Sequence, residues 1–189
     1  FQSVQQSQNI WEPLGPMNYQ YTQSWSPGQG RVNCIIEDPS NSQIIYIGAP
    51  SGGVWKTIDG GDNWSPVSDN LSVIGISHIA INPDNTNELY IATGDADGGD
   101  TYSIGIWKSF DAGLNWQQTS FPEAQCNRIV VDPNSTNTIW AASSYGLYKS
   151  VDSGLTWNLI YSGNIKDFQL CPNDPNKVYF CSNSEMFFS

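Results

Sequence analysis

Positive charge is scarce in this sequence. Seven Lys and Arg stand against 18 Asp and Glu in 189 residues, a net charge of -11. Nucleic-acid phosphates demand clustered cations, so the composition argues against a nucleic-acid partner. It argues equally against an anionic membrane surface. No apolar run approaches the ~20 residues of a membrane-spanning helix. His78 is the only His, and no C-x-x-C pair occurs among the four Cys. A zinc site is therefore disfavoured. Helical periodicity is missing too, which leaves short strands as the building material.

What the chain does contain is Asn, Ser, Gly and Trp on an acidic background, a composition that fits an extracellular protein. Phe1 is not a Met and no signal peptide precedes it, so the chain is expected to be processed or incomplete at its start. The Cys are expected as buried thiols in strands. Cys171 and Cys181 flank one turn and are the expected pair if a disulfide forms.

An internal repeat organises nearly all of the sequence. In IIEDPSNSQIIYIGA, Tyr46 follows Asp38 by eight residues. The same step separates Tyr90 from Asn82, Trp140 from Asp132 and Tyr179 from Cys171. Each copy has a β-branched run, a Pro/Asn-rich turn, a second apolar run, and a third (GVWK, GIWK, GLYK or EMFF). The first three copies then enter S/T-x-D-x-G-x-x-W, at Thr57–Trp64, Ser109–Trp116 and Ser150–Trp157. Four-stranded units at roughly 40–50-residue spacing predict an all-β propeller. Ser189 falls where a fourth hydroxyl should stand, so the natural protein is expected to continue. About four blades of a larger ring, seven or more, are expected.

The expected organisation is a flexible lead at 1–10, then a propeller over 11–189. Residues 11–16, beginning Trp11-Glu-Pro-Leu, would be the closing strand of the last blade, protecting an edge. Blade 1 would cover 29–70, blade 2 71–122, blade 3 123–163, and an incomplete blade 4 164–189.

The motif S/T-x-D-x-G-x-x-W resembles the Asp-box, also called the BNR or sialidase repeat. The chain is similar in this to the propellers of sortilin and of xyloglucan-type glycoside hydrolases. GRVNCIIEDPSN, GAPSGGVWKTIDGGDNW and IYIATGDADGGDTYSIG resemble large secreted proteins of Bacteroidetes that carry type IX secretion signals. The resemblance implies a secreted or cell-surface bacterial location. It also implies that the motif is a turn between third and fourth strands. Asp59, Asp111 and Asp152 would then accept N–H bonds within the turn. Gly61, Gly113 and Gly154 would supply unusual backbone angles. Trp64, Trp116 and Trp157 would pin the turn. Repetition across the fold is poor placement for one active site, so these residues are expected to be structural. Trp55, Trp107, Tyr148 and Phe187 share another repeat position and are expected between blades.

Function is then sought in what does not repeat. The loop Asn18–Gly28 carries Tyr19, Tyr21 and Trp25, which could stack on sugars or clamp a peptide, or merely hold the loop down. Repeat two carries the insertion GDADGGDTYS, with Tyr102. Its Asp95, Asp97 and Asp100 suit a hard cation such as Ca²⁺, or form a solvated acidic loop. Polar residues also open the inner strands: Arg31, Asn33, His78, Arg128, Lys166 and Asp167.

A sialidase needs three Arg around its substrate carboxylate, and only Arg31 and Arg128 are present. A xyloglucan-type hydrolase would place a carboxylate at the stretch matching Ala49-Pro50-Ser51-Gly52-Gly53. Neither Pro50 nor Ser51 can serve there. The sequence therefore favours a non-catalytic propeller that displays loops to a protein, peptide or carbohydrate, inside a larger adhesin-like protein. The alternative is a glycoside hydrolase whose catalytic residues lie partly in other blades.

Overall fold

The computed structural model describes residues 31–96, 101–172 and 174–188. The described residues form four antiparallel sheets. The first holds β1 (Cys34–Asp38), β2 (Asn41–Ala49), β3 (Gly53–Thr57) and β4 (Ser65–Pro66) in that spatial order. The second holds β5 (Ile76–Ile81), β6 (Leu89–Thr93), β7 (Ile106–Ser109) and β8 (Gln117–Gln118). The third holds β9 (Cys126–Val131), β10 (Ile139–Ser143), β11 (Gly146–Ser150) and β12 (Asn158–Ser162). The fourth has β13 (Asp167–Cys171), β14 (Asp174–Cys181) and β15 (Met186–Phe188). Among the described residues, no helix is long and apolar enough to cross a membrane.

The innermost strands pack in succession, β1 on β5, β5 on β9 and β9 on β13. The sheets therefore stand radially, face to face, as propeller blades do. The second strand of a blade is sandwiched between its neighbours, which explains its unbroken apolar run. In β6, Leu89 and Ile91 join a core shared with the first sheet, while Tyr90 and Ala92 join one shared with the third. In β10, Ile139 and Ala141 face back, while Trp140 and Ala142 face the fourth sheet. The period of two thus feeds two cores from one strand. Each such buried Leu, Ile or aromatic contributes about 1.5–3 kcal/mol. Of the aromatics expected between blades, Trp107, Tyr148 and Phe187 pack on these cores. Trp55 is half-buried, and its indole N–H donates to Gly52 O at 2.8 Å.

The three S/T-x-D-x-G-x-x-W segments fold alike. Thr57 Oγ1 donates to Asp59 Oδ1 at 2.7 Å and accepts from Gly61 N at 3.0 Å. Asp59 also accepts from Asn63 N at 2.9 Å and Asn63 Nδ2 at 2.8 Å. Ser109, Asp111, Gly113 and Asn115 repeat the pattern, as do Ser150, Asp152, Gly154 and Thr156. Two successive left-handed residues close each turn: Gly60 and Gly61, Ala112 and Gly113, Ser153 and Gly154. The second always has φ between 86° and 109°, where glycine is unstrained.

The turns also join blades. Ala112 O accepts Tyr46 Oη and Lys56 Nζ of the preceding blade, each at 3.2 Å. Ser153 O accepts Tyr90 Oη at 3.2 Å and Lys108 Nζ at 3.3 Å. Each Lys lies over the ring of its Tyr, 5.2 Å and 5.0 Å from the centroid. The Trp residues reach back as well. Trp116 Nε1 donates to Val67 O at 2.8 Å, and Trp157 meets Phe121 edge-on at 5.0 Å. Trp64 donates within its own turn, to Gly61 O. Two of the three pins therefore fasten a turn to the blade before it.

All four Cys are free thiols. The expected Cys171–Cys181 pairing is ruled out by register. Cys171 lies opposite Asp174 and Cys181 opposite Asp167, at the two ends of one hairpin. Four residues of strand separate them by roughly 13 Å, beyond disulfide reach. Burial pushes the Cys34 and Cys126 thiols up to about 12, leaving them inert.

Candidate functional site

In each blade the loop into the first strand and the loop between second and third strands lie at one end. The repeated turns lie at the other. The first of these ends gathers the non-repeating polar residues.

Arg31, leading into β1, pairs with Asp95, which follows β6. Asp95 is buried, and its carbonyl accepts Gln125 Nε2 at 2.5 Å from the segment before β9. This chain ties three blades together. Arg128 of β9 reaches across to β13, donating to Asp167 Oδ1 at 2.9 Å and lying over the Phe168 ring at 5.8 Å. Both Arg residues singled out in the sequence are thus held in interblade ion pairs. Tyr102 is 89% exposed and faces solvent. The base of its loop is fixed by Thr93 Oγ1 donating to Gly105 O and Ser103 Oγ donating to Ala124 O, both at 2.7 Å. Tyr19, Tyr21, Trp25, Asp97 and Asp100 lie outside the described residues. Among the described residues, no group of three His, Cys, Asp or Glu is placed to hold a metal ion.

Between these ion pairs is a cavity of about 240 Å³ lined by Asn33, Ser77, His78, Ala96, Asn127 and Lys166. Asn33, Ser77, Asn127 and Lys166 occupy one repeat position, five residues before the turn residue of each blade. The ladder sets Ser77 and Asn127 apart. Register shifts at Ile76/His78 and opposite Ala142/Ser143 leave Ser77 and Asn127 as extra, unpaired residues. Such a bulge re-aims a side chain out of the sheet alternation.

Nine buried side-chain polar atoms lack a hydrogen-bond partner among the described residues, and four of them belong to this lining. Asn33 Oδ1, Ser77 Oγ, His78 Nδ1 and Asn127 Oδ1 are buried and have no hydrogen-bond partner among the described residues. The two amides cannot turn to hide this. Asn33 Nδ2 donates to Ile76 O at 3.0 Å and Asn127 Nδ2 to Ile165 O at 2.6 Å, each on the next blade. Their oxygens are therefore fixed as acceptors. Burial, and then the Arg128 charge, lower His78 to about 4 against an ordinary 6.5, with Asp167 acting in opposition. The imidazole is neutral at physiological pH.

The sequence pointed to Asn33, His78 and Lys166, which the fold brings together. It missed Ser77 and Asn127. Their shared register with Asn33 was the signal that could have found them.

The carboxylates of the repeated turns offer a contrast. Bonds from Asn63 above all hold Asp59 at about 2, bonds from Thr156 hold Asp152 at about 2, and those from Asn115 lower Asp111. Each is a locked, ionised acceptor, ill suited to exchange protons.

The chain matches no family model. Among curated proteins it is similar to a xyloglucanase of Paenibacillus, 29% identical over 143 residues, covering 62% of this chain and 14% of that enzyme. A xyloglucanase of Hypocrea jecorina is 54% identical over 43 residues, covering 22% of this chain and 5% of that enzyme. The chain thus spans a small part of the curated relatives it matches. Among solved structures, the GH74 enzyme of Niastella koreensis superposes with a TM-score of 0.66 at 25% identity, covering 86% of this chain and 28% of that one. The GH74 xyloglucanase of Xanthomonas campestris gives a TM-score of 0.71 at 19% identity, covering 83% and 27%. YCF48, solved bound to the D1 peptide, gives 0.58 at 14% identity, covering 84% and 52%. The chain has an all-β, propeller-type fold.

Proposed function

We propose that this chain is part of a secreted or cell-surface β-propeller that binds a glycan at its cavity end without cleaving it. The carrying observation is the cavity at the polar end, lined by Asn33, Ser77, His78, Asn127 and Lys166 from four successive blades. A concave site with polar side chains drawn from several elements is an ordinary place for a ligand. Support comes from the relatives whose names are xyloglucanases and which therefore act on a polysaccharide. The finer attributes belong to the same proposal. The repeated turns are Asp-box repeats of the sortilin-like kind, and the chain is a module of a larger, type IX-exported, adhesin-like bacterial protein. Calcium at Asp95, Asp97 and Asp100 is a secondary proposal, since Arg31 would have to release Asp95. Calorimetry with millimolar Ca²⁺ decides it, and no heat of binding removes it.

The names of the curated relatives favour a second reading, a glycoside hydrolase. Against it stands the carboxylate-free stretch Ala49–Gly53. The test is retardation of the chain in a xyloglucan-containing gel, read beside release of new reducing ends. Retardation without reducing ends supports the binding module. Reducing ends support the hydrolase. The absence of both results removes the glycan role, and a peptide or protein partner then takes its place.

A further inference from the structure

We infer that the groove between the second and third blades, at the turn end, docks an extended segment of a partner protein that carries apolar side chains beside Lys or Arg. This site is separate from the cavity and does not rest on the glycan reading. The groove has a volume of about 770 Å³, within the usual range for ligand sites. Phe110 and the outer strand β8 line one side, and Asp152, Ser153, Gly154 and Leu155 of the next turn line the other. The two sides are tied together without any partner. Ser120 Oγ donates to Leu155 O at 2.6 Å, and Lys108 Nζ and Tyr90 Oη both donate to Ser153 O. A groove held in shape in advance lowers the cost of binding.

The side chains select the partner. Phe110 is 55% exposed and Leu155 74% exposed. The turn does not demand an apolar residue at Leu155, because Leu155 and Leu114 stand where the first turn has Asp62. Ile58, Phe110 and Val151 share a second place, between the hydroxyl and the Asp. All five apolar side chains are exposed. Recurrence at the same two places in successive turns makes them a set, and exposed apolar sets mark interaction surfaces. The charge beside them is negative. Glu88 pairs with Lys108 at 2.8 Å, which leaves the ionised Asp152 in excess. Its carboxylate is open to solvent. Oδ1 accepts Ser150 Oγ and Thr156 N, and Oδ2 accepts Thr156 Oγ1. A carboxylate has about four acceptor positions, so Oδ2 keeps one for an incoming donor. Lys108 is engaged by Glu88, by Ser153 O and by the rings of Tyr90 and Phe110, so an anion finds no free cation in this lining. A wholly apolar partner would cover Asp152 without pairing it, which is costly. Leu or Phe beside Lys or Arg answers both features. Charge complementarity reaches past the groove, since the chain carries a net charge of -11.

The experiment is an NMR titration of the whole isotope-labelled chain, reading the backbone amides of the second and third turns. The probes are capped hexapeptides of alternating Leu and Lys, alternating Leu and Glu, and alternating Ser and Lys, each taken to millimolar concentration. The Leu–Lys peptide should shift the amides around Phe110 and Leu155. The Leu–Glu peptide should shift neither, and the Ser–Lys peptide should bind at least about fivefold more weakly. The variants are Phe110→Ala, Leu155→Ser and, at the opposite end of the third blade, Tyr145→Ser. Each replaces an exposed side chain that makes no hydrogen bond among the described residues, so all three are expected to fold. Phe110→Ala should weaken the Leu–Lys peptide by about fivefold to tenfold, and Leu155→Ser by about threefold. Tyr145→Ser should leave it unchanged. No shift with the Leu–Lys peptide overturns the inference. Equal binding of the Leu–Glu or the Ser–Lys peptide overturns it too, as does binding that Phe110→Ala leaves unchanged. Shifts of these amides by xyloglucan and not by the Leu–Lys peptide also overturn it, and place the carbohydrate at this end instead.

Discussion

Ser109 and Ser77 are both buried serines of the second blade, yet their hydroxyls live differently. Ser109 Oγ donates to Asp111 and accepts from Asp111 N and Gly113 N. Ser77 Oγ has no partner among the described residues. The same contrast runs from blade to blade. At the turn end, the hydroxyl and carboxylate of each turn bond one another and the turn's N–H groups, and blades are joined through Ala112 O and Ser153 O. At the cavity end, Asn33 and Asn127 each donate from Nδ2 to the next blade, and the amide oxygen is buried without a partner among the described residues. A polar atom that is buried and satisfied holds a fold together. One that is buried and unsatisfied costs stability and is retained for another purpose. Repetition alone therefore does not mark function here.

The contrast can be broken by acid. His78 has a folded value near 4 and an ordinary one of 6.5, so the unfolded chain takes up the proton first. Its contribution is fully present above pH 6.5 and is lost as pH falls from 6.5 to 4. The loss is at most about 3 kcal/mol, reduced by partial exposure. Asp59 and Asp152 have the opposite ordering of charge but the same sense. Their contribution is present above 3.8 and lost as pH falls through about 2. Urea midpoints measured against pH should therefore fall in two stages, the cavity end first. Replacing His78 with Gln should remove the first stage alone.

Smaller effects sharpen the comparison. Ser109→Ala strands the N–H of Gly113 in a buried turn and should cost about 2 kcal/mol in urea unfolding. Tyr90→Phe removes the one O–H that Glu88 Oε1 and Ser153 O share, while Lys108 still holds both, and should cost about 1 kcal/mol. Ser77→Ala should cost nothing, and should raise stability by up to about 1 kcal/mol, because an unsatisfied hydroxyl leaves the interior.

Much of this was legible in the sequence. The eight-residue step from Asp38 to Tyr46, repeated four times, carries the radial sheets, because each blade buries the same positions against its neighbours. Hydroxyl, Asp and Gly of the turns were legible since their bonding is local. Their interblade role was not, as nothing in TIDGGDNW says that Tyr46 and Lys56 will donate to Ala112 of the next copy. Cys171 and Cys181 misled because hairpin register, not nearness to a turn, decides which residues face. Ser77 and Asn127 were missed because a bulge breaks the alternation by which strands are read.

The most direct measurement is urea unfolding of Ser77→Ala beside Ser109→Ala at neutral pH. The account predicts opposite signs from one chemical change, with Ser109→Ala destabilised and Ser77→Ala equal to or more stable than the original chain. A loss of about 2 kcal/mol at Ser77 as well would mean that its hydroxyl is part of the scaffold, and would contradict the account.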